Sequence, residues 1–224
     1  PTEGILNEKT LGSFLKRLKK NGSKFSYRKV QNKSKKVYEA NITVFDALRK
    51  SDFDPKGLFF LERYVSAHAI MISFEGIPAV YFNSLFGKSN DEAKYIITGN
   101  NRDVNRYKWN FNNINTKLRD KKSKQSIFYR NIGALLEIKR KQKAFHPNAS
   151  RINISLGPKI FCFKRISKDK KQSIICMTNL SSKIQTPNFT KKGSYRDLLN
   201  SNLKFREGNS LILKPFQTVW LTNN

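Results

Sequence analysis

Residues 76–106 read GIPAVYFNSLFGKSNDEAKYIITGNNRDVNR, and the fold class turns on how this stretch is parsed. Gly76-Ile77-Pro78 leads into a short apolar run, Ala79 to Phe82, expected to be a strand. A polar, glycine-punctuated loop follows, with a charged knot at Arg102-Asp103-Val104-Asn105-Arg106. A strand that empties into a long polar loop is where α/β folds place their ligands. The loop is therefore the expected binding region.

Working outward, the segment before it, Leu58 to Phe74, is expected to be a helix. Glu62, Ser66 and Ser73 share one narrow stripe, and apart from Arg63 and His68 the rest is apolar almost all round. Such a helix is buried against something large. His68 is expected to be packed and hydrogen-bonded, not catalytic. A helix followed by Gly76, Pro78 and a short apolar strand fits the helix-to-strand step of a parallel α/β repeat. Further upstream, Leu11, Phe14, Leu15 and Leu18 recur at i, i+3, i+4 and i+7, giving an amphipathic helix over 8–20. Asn7 suits its start and Gly22 its end. Residues 23–37 read as a long loop or weak hairpin in which Phe25, Tyr27 and Val30 offer little core, and Val37 to Ile42 as extended.

Downstream, the Asn- and Lys-rich segment 110–125 reads as irregular. Residues 126–142 read as a helix with Phe128, Ile132, Leu135 and Leu136 on its apolar face, ended by His146-Pro147. From Arg151 the pattern turns to strands: 152–156, 160–165, 173–178, 210–213 and 218–221. Several short strands at this spacing suggest a small antiparallel sandwich. The expected boundary lies near residue 148, with α/β before it and all-β after.

The chain has 224 residues and a formal charge of +28, from 44 Lys and Arg against 16 Asp and Glu. A polyanion partner would need such cations. The lysines, however, fall in short clusters over unrelated elements (16–20, 119–124, 139–143, 168–171), which points to a basic surface and makes a nucleic-acid partner the lesser reading. Cys162 and Cys176 fall on neighbouring expected strands as buried, reduced thiols. Two histidines, far apart, give no His-rich metal cluster. No run approaches the roughly 18 apolar residues of a membrane span, and no signal peptide opens the chain. No metal, cofactor or membrane partner is expected, and the expected location is cytoplasmic.

No Cys–His or Ser–His pairing has supporting context, and no Gly-rich phosphate loop is present. Asp91, Glu92 and Asp103 are carboxylates of the central loop, but acids next to Arg or Lys more often pair as scaffold than act as general acids. Residue chemistry alone does not reveal a function.

Taken in order, PTEGIL (1–6), VYEANITVFDAL (37–48), ERYVSAHAIMISFEGIPAVYFNSLFG (62–87), ND (90–91), TGNNRDVNR (98–106), AFHPNA (144–149) and LKPFQTVWL (213–221) resemble the C-terminal half of the sucrose-phosphorylase group. That group belongs to the α-amylase superfamily of (β/α)8-barrel enzymes. GIPAVY alone signals only the superfamily; NRDVNR and the ND loop narrow it to the phosphorylases. The resemblance implies units seven and eight of a TIM barrel over 1–148, without its N-terminal half, then an all-β antiparallel sandwich over 149–224. It implies transfer of a glucosyl group from sucrose or a related α-glucoside to phosphate. Sucrose, sucrose 6-phosphate and glucosylglycerate phosphorylases share these motifs, which do not separate them.

Retaining glucosyl transfer needs two carboxyls about 5 Å apart. By the resemblance, the nucleophile, the acid/base and the stabilising aspartate all lie upstream of Pro1, so the chain alone is expected to be inactive and no catalytic residue is assigned to it. A degenerate gene remnant is the other reading of the same gap. Arg102 matches the family arginine that reaches the glucosyl unit, where a guanidinium can make several fixed hydrogen bonds to hydroxyls. An Arg102–Asp103 structural pair is the alternative, and the motif favours the sugar role over it. Tyr38 and Glu39 match the mobile loop that shapes the acceptor site. Glu39 stands where some members have Gln, and its charge is expected to discourage phosphate unless neutralised.

Overall fold

The computed structural model describes residues 5–29, 35–189, 193–200, 204–206 and 210–223. Val30 and the first four residues of the PTEGIL match lie outside them. The chain is α/β, with helices ahead of a β-rich tail. It forms two compact units, one of residues 1–57 and 80–129, the other of 58–79 and 130–224. No described helix is long and apolar enough to cross a membrane.

In the first unit, helix α1 (Glu8–Lys20) starts where Asn7 accepts from the Thr10 amide at 2.8 Å. It ends in paired return bonds, Gly22 N to Lys19 O and Ser23 N to Leu18 O, a Schellman closure that Gly22 permits at φ +95°. Strands β1 (Lys24–Lys29) and β2 (Lys35–Asn41) form an antiparallel hairpin. Ser26 pairs with Glu39 but Tyr27 with Val37, so Tyr38 is the extra residue of a β-bulge. Helix α2 (Val44–Arg49) follows, capped by Thr43.

The central stretch departs from a strand and loop. Residues 77–81 have no partner strand among the described residues, although Tyr81 is extended, and Phe82 already opens the short helix α4 (Phe82–Leu85). The strand expected at 79–82 does not form, because a strand exists only through a ladder to a neighbour. The polar loop contains α5 (Glu92–Thr98) and a 3-10 turn, Asn101–Asn105. Residues 110–125 are likewise not irregular: Asn110 caps α6 (Phe111–Arg119), which buries Ile114. Asparagine there serves as a cap, the role its side chain plays best.

The second unit holds the other elements. Strands β3 (Ser150–Ser155), β4 (Ile160–Ile166), β5 (Ser173–Asn179), β6 (Ser194–Asp197), β7 (Lys204–Arg206) and β8 (Thr218–Thr222) form one sheet. Its order is β3-β4-β5-β8-β6-β7, and every pairing is antiparallel. Of the segment expected as a strand at 210–213, only Leu213 bridges, to Gln185. One face packs Cys162, Ile175, Met177, Val219 and Leu221 with Leu211, Leu213 and Phe189.

The other face receives helix α3 (Phe60–Ser73) and the turn Lys143–Phe145. Phe74 stacks on Phe163 at 5.2 Å, and Phe145 meets Trp220 edge-on at 4.8 Å. Burial on both faces explains why β5 carries the unbroken apolar run Ile174–Met177 instead of alternating. Arg165, wholly buried, donates to the carbonyls of Ser73 (2.7 Å), His146 (2.9 Å) and Ala149 (3.2 Å), tying the end of α3 to the sheet. His68 is packed as expected: Nδ1 lies 2.8 Å from the Tyr64 carbonyl, and burial, partly opposed by that bond, lowers its pKa. Both cysteines are buried and neither forms a disulfide. Helix α7 (Lys124–Arg140) connects the units along the chain.

Candidate substrate-binding site

The polar stretch 90–105 is held to the first unit by asparagine side chains. Asn90 Oδ1 accepts from the Thr43 amide and hydroxyl at 2.9 and 3.1 Å, and its Nδ2 donates to Gly22 O at 3.2 Å. Asn101 Nδ2 donates to Phe25 O and Ser26 Oγ at 3.0 and 3.2 Å. The Asp91 amide donates to Val104 O at 2.7 Å, and Val104 is wholly buried beneath the 3-10 turn. Short amides at these positions convert a chain that reads as loop into a fixed platform against the hairpin.

On that platform Arg102 reaches across to the hairpin, its Nε donating to Glu39 Oε2 at 3.0 Å. Asp103 turns elsewhere. It pairs with Lys94 at 3.2 Å. Hydrogen bonds from Thr98 and then Lys94, with the Lys94 and Arg106 charges behind them, hold its carboxyl below the usual range. The Arg102–Asp103 pairing open to the sequence is thus replaced by Arg102–Glu39. Tyr38, the bulge residue beside Glu39, is 61% exposed. A bulge re-aims a side chain without breaking the hairpin.

Of the other loop carboxylates, Asp91 caps α5 and Glu92 pairs with Lys24 at 2.9 Å. Both are scaffold. The Arg102–Glu39 pair leaves the guanidinium's Nη donors without a partner among the described residues. A half-exposed guanidinium with free donors can bind neutral hydroxyls while its charge stays balanced by the carboxylate.

Sequence reading did not single out Asn83. It is buried at 3% exposure and joins the segments around it: Nδ2 donates to Tyr107 O at 3.1 Å, and its Oδ1 accepts from Trp109 Nε1 at 2.8 Å. Longer contacts of 3.4 Å reach Asn105 O and the Tyr81 hydroxyl. The one available signal was a lone amide, followed by Ser84, in the mainly apolar run Val80–Phe86.

No family model matches the chain. It is 29% identical over 225 residues to a glucosylglycerate phosphorylase of Escherichia coli, covering 99% of this chain and 38% of that protein. Over 71 residues, 32% of this chain and 13% of the relative, it is 38% identical to a sucrose phosphorylase of Agrobacterium vitis. The fold matches the sucrose 6F-phosphate phosphorylase of Thermoanaerobacter thermosaccharolyticum with a TM-score of 0.65 at 17% identity, over 95% of this chain and 37% of that one. The chain thus spans under two-fifths of the length of these phosphorylases. Along nearly all its residues it is similar to part of these phosphorylases.

Proposed function

We propose that this chain supplies the sugar-contacting part of a retaining glucoside phosphorylase. Such an enzyme moves a glucosyl group from sucrose or a related α-glucoside to phosphate, releasing glucose 1-phosphate. The observation that carries the reading is the 3.0 Å contact between Arg102 and Glu39, motif-matched residues that lie far apart in sequence. In this reading Arg102 donates to hydroxyls of the glucosyl unit. Tyr38 and Glu39 border the acceptor position. Glu39 holds the arginine in place and keeps the local charge near zero, so that a neutral sugar is favoured over a phosphate at Arg102 itself.

The same reading assigns residues 1–148 to units seven and eight of a (β/α)8 barrel and 149–224 to a β-sandwich domain. None of the matched motifs carries the two carboxyls that glucosyl transfer needs. These residues therefore bind and orient substrate, and the bond-breaking groups come from sequence outside the 224 residues. Alone, the chain is inactive.

The test is a chimera in which this chain replaces the aligned C-terminal part of the Escherichia coli relative. A folded chimera should release glucose 1-phosphate from glucosylglycerate or sucrose with phosphate. Arg102→Lys should cost it about a hundredfold or more in kcat/KM, since lysine cannot reproduce the fork of donors. A folded chimera inert on every α-glucoside tried, or turnover by the 224-residue chain alone, would overturn the proposal.

A further inference from the structure

Strands β1 and β2 pair in a register that sets like charges opposite each other. Arg28 lies opposite Lys36, and Lys29 lies opposite Lys35. Directly opposed residues of an antiparallel pair have Cβ atoms about 5 Å apart on one face of the ribbon, and consecutive residues of a strand point to opposite faces. The outer end of the hairpin therefore carries a cation pair on each of its faces, Arg28 with Lys36 on one and Lys29 with Lys35 on the other. All four residues are exposed.

No acid of the hairpin offsets these charges. The sequence from Lys24 to Tyr38 contains no Asp or Glu, and Glu39 is engaged by Arg102. Lys29, Lys35 and Lys36 form no ion pair with a described residue. Like charges directly opposite weaken a ladder, and a two-stranded hairpin is marginal by itself. What holds this one lies at its inner end. Asn41 Nδ2 donates across to Lys24 O at 3.2 Å, and the side chains of Asn101 and Arg102 bond to Phe25, Ser26 and Glu39. The outer end remains a basic arm. On the face of Lys29 and Lys35 it continues inward as Tyr27, 56% exposed, which meets Phe25 edge-on at 6.5 Å.

Cations on both faces constrain the shape of a partner. A flat anionic surface, such as a layer of lipid headgroups, meets one face of a ribbon and leaves the other pair uncompensated. A groove walled by two phosphate backbones meets both. A ribbon with its side chains is about 10 Å thick, the spacing of stacked sheets. That thickness fits the major groove of B-form DNA, about 12 Å wide, and exceeds its minor groove, about 6 Å wide. We infer that the outer end of the β1–β2 hairpin is a nucleic-acid-binding arm that enters the major groove of duplex DNA end-on, with Arg28 and Lys36 toward one backbone and Lys29 and Lys35 toward the other. Other lysines of the chain are scattered over unrelated elements, whereas here the strand register concentrates them on one. Contacts of this kind go to phosphates and carry no sequence preference. The arm lies outward of Arg102–Glu39 and stands whether or not the phosphorylase reading does.

The test titrates the 224-residue chain into a labelled DNA duplex of mixed sequence and follows fluorescence anisotropy at several salt concentrations. Saturable, salt-sensitive binding is expected. Lys29→Gln and Lys36→Gln, one on each face, should each weaken it by about fivefold and each flatten the slope of log Kd against log salt by about 1. Lys16→Gln/Lys20→Gln on α1 removes as much charge elsewhere and should change Kd by less than about twofold. An RNA duplex of the same sequence should bind about tenfold more weakly, because the A-form major groove is too narrow for the ribbon. Glutamine keeps most of the lysine stem and relieves the opposed charges, so the hairpin stays formed, which amide NMR shifts of β1 and β2 would show. Loss from one face only would overturn the arm, and competition by anionic lipid vesicles would then identify a flat surface as the partner. Equal losses in the α1 variant, equal affinity for the RNA duplex, or no saturable binding to DNA would overturn it as well.

Discussion

Arg102 and Glu39 lie 63 residues apart in sequence and meet through one charged hydrogen bond, Nε to Oε2 at 3.0 Å. The pair joins the hairpin bulge to the 3-10 turn. Its side chains remain 48% and 34% exposed, so solvent screens the attraction. An exposed ion pair is worth between about 0 and 1 kcal/mol. Glu39→Gln and Arg102→Lys should each shift unfolding free energy by no more than about 1 kcal/mol, with a coupling no larger in a double-mutant cycle. Chemical denaturation of the two single variants and the double variant checks this. A coupling of several kcal/mol would make the pair a structural strut and weaken its assignment to substrate.

Much of the helical framework was legible because it is written in apolar spacing. Helix α1, the buried helix α3 and the strands around Cys162 and Cys176 follow from periodicity and from unbroken apolar runs. What was not legible depends on partners distant in sequence. Ala79–Phe82 has strand composition but no ladder among the described residues. The Asn-rich segment at 110–119 reads as loop until Asn110 is seen as a cap. β6, with the sequence Ser-Tyr-Arg-Asp, is held by its register with β8 and not by propensity. At the site, motif resemblance named Arg102, Tyr38 and Glu39. That Arg102 would choose Glu39 over the adjacent Asp103 depends on where Lys94 and Thr98 stand, which spacing along one chain does not encode.

Gly87 is a position where glycine is required twice over. Its φ of +57° favours a residue without a Cβ, and a Cβ there would lie 2.5 Å from Phe128 Cδ2. The Phe128 ring is 3% exposed and packs on Phe45, so it has little room to withdraw. Gly87→Ala should destabilise the first unit by about 2–4 kcal/mol, combining left-handed strain with overpacking. Gly133→Ala is the control: nothing lies within 4 Å of its Cβ and it sits inside α7, so that substitution should be neutral or mildly stabilising. Thermal melts of the two variants, side by side, decide the point.

Asp103 offers a local reporter of the loop. Its carboxyl is held low first by the Thr98 hydroxyl and then by Lys94, whose Nζ lies 3.2 Å away. A folded pKa below the unfolded one means that the favourable contribution is present above the ordinary carboxylate pKa and is lost as pH falls through the folded value. Lys94→Met should move the Asp103 titration upward, toward the ordinary range, without unfolding the protein. Carboxyl carbon NMR over the acid range measures this directly. An unchanged midpoint would mean that Lys94 does not govern the loop charge.

Asp197 titrates in the opposite sense. It is 2% exposed on β6, and its Oδ1 accepts from the Trp220 amide at 2.8 Å and the Leu199 amide at 3.1 Å. Burial outweighs these donors and pushes its pKa up to about 6. Because the folded value exceeds the unfolded one, the stabilising contribution is complete below about pH 4 and is lost as pH rises through about 6. The loss is on the order of 3 kcal/mol for a shift of this size. Asp197→Asn keeps an oxygen to accept from both amides but carries no charge to desolvate. Denaturation across pH 4 to 7 should show the two proteins nearly equal at the acid end. The variant should gain on the native sequence as pH rises, since every other carboxylate titrates alike in both. Parallel stability curves over that range would show that the backbone donors, not burial, set the charge state of Asp197.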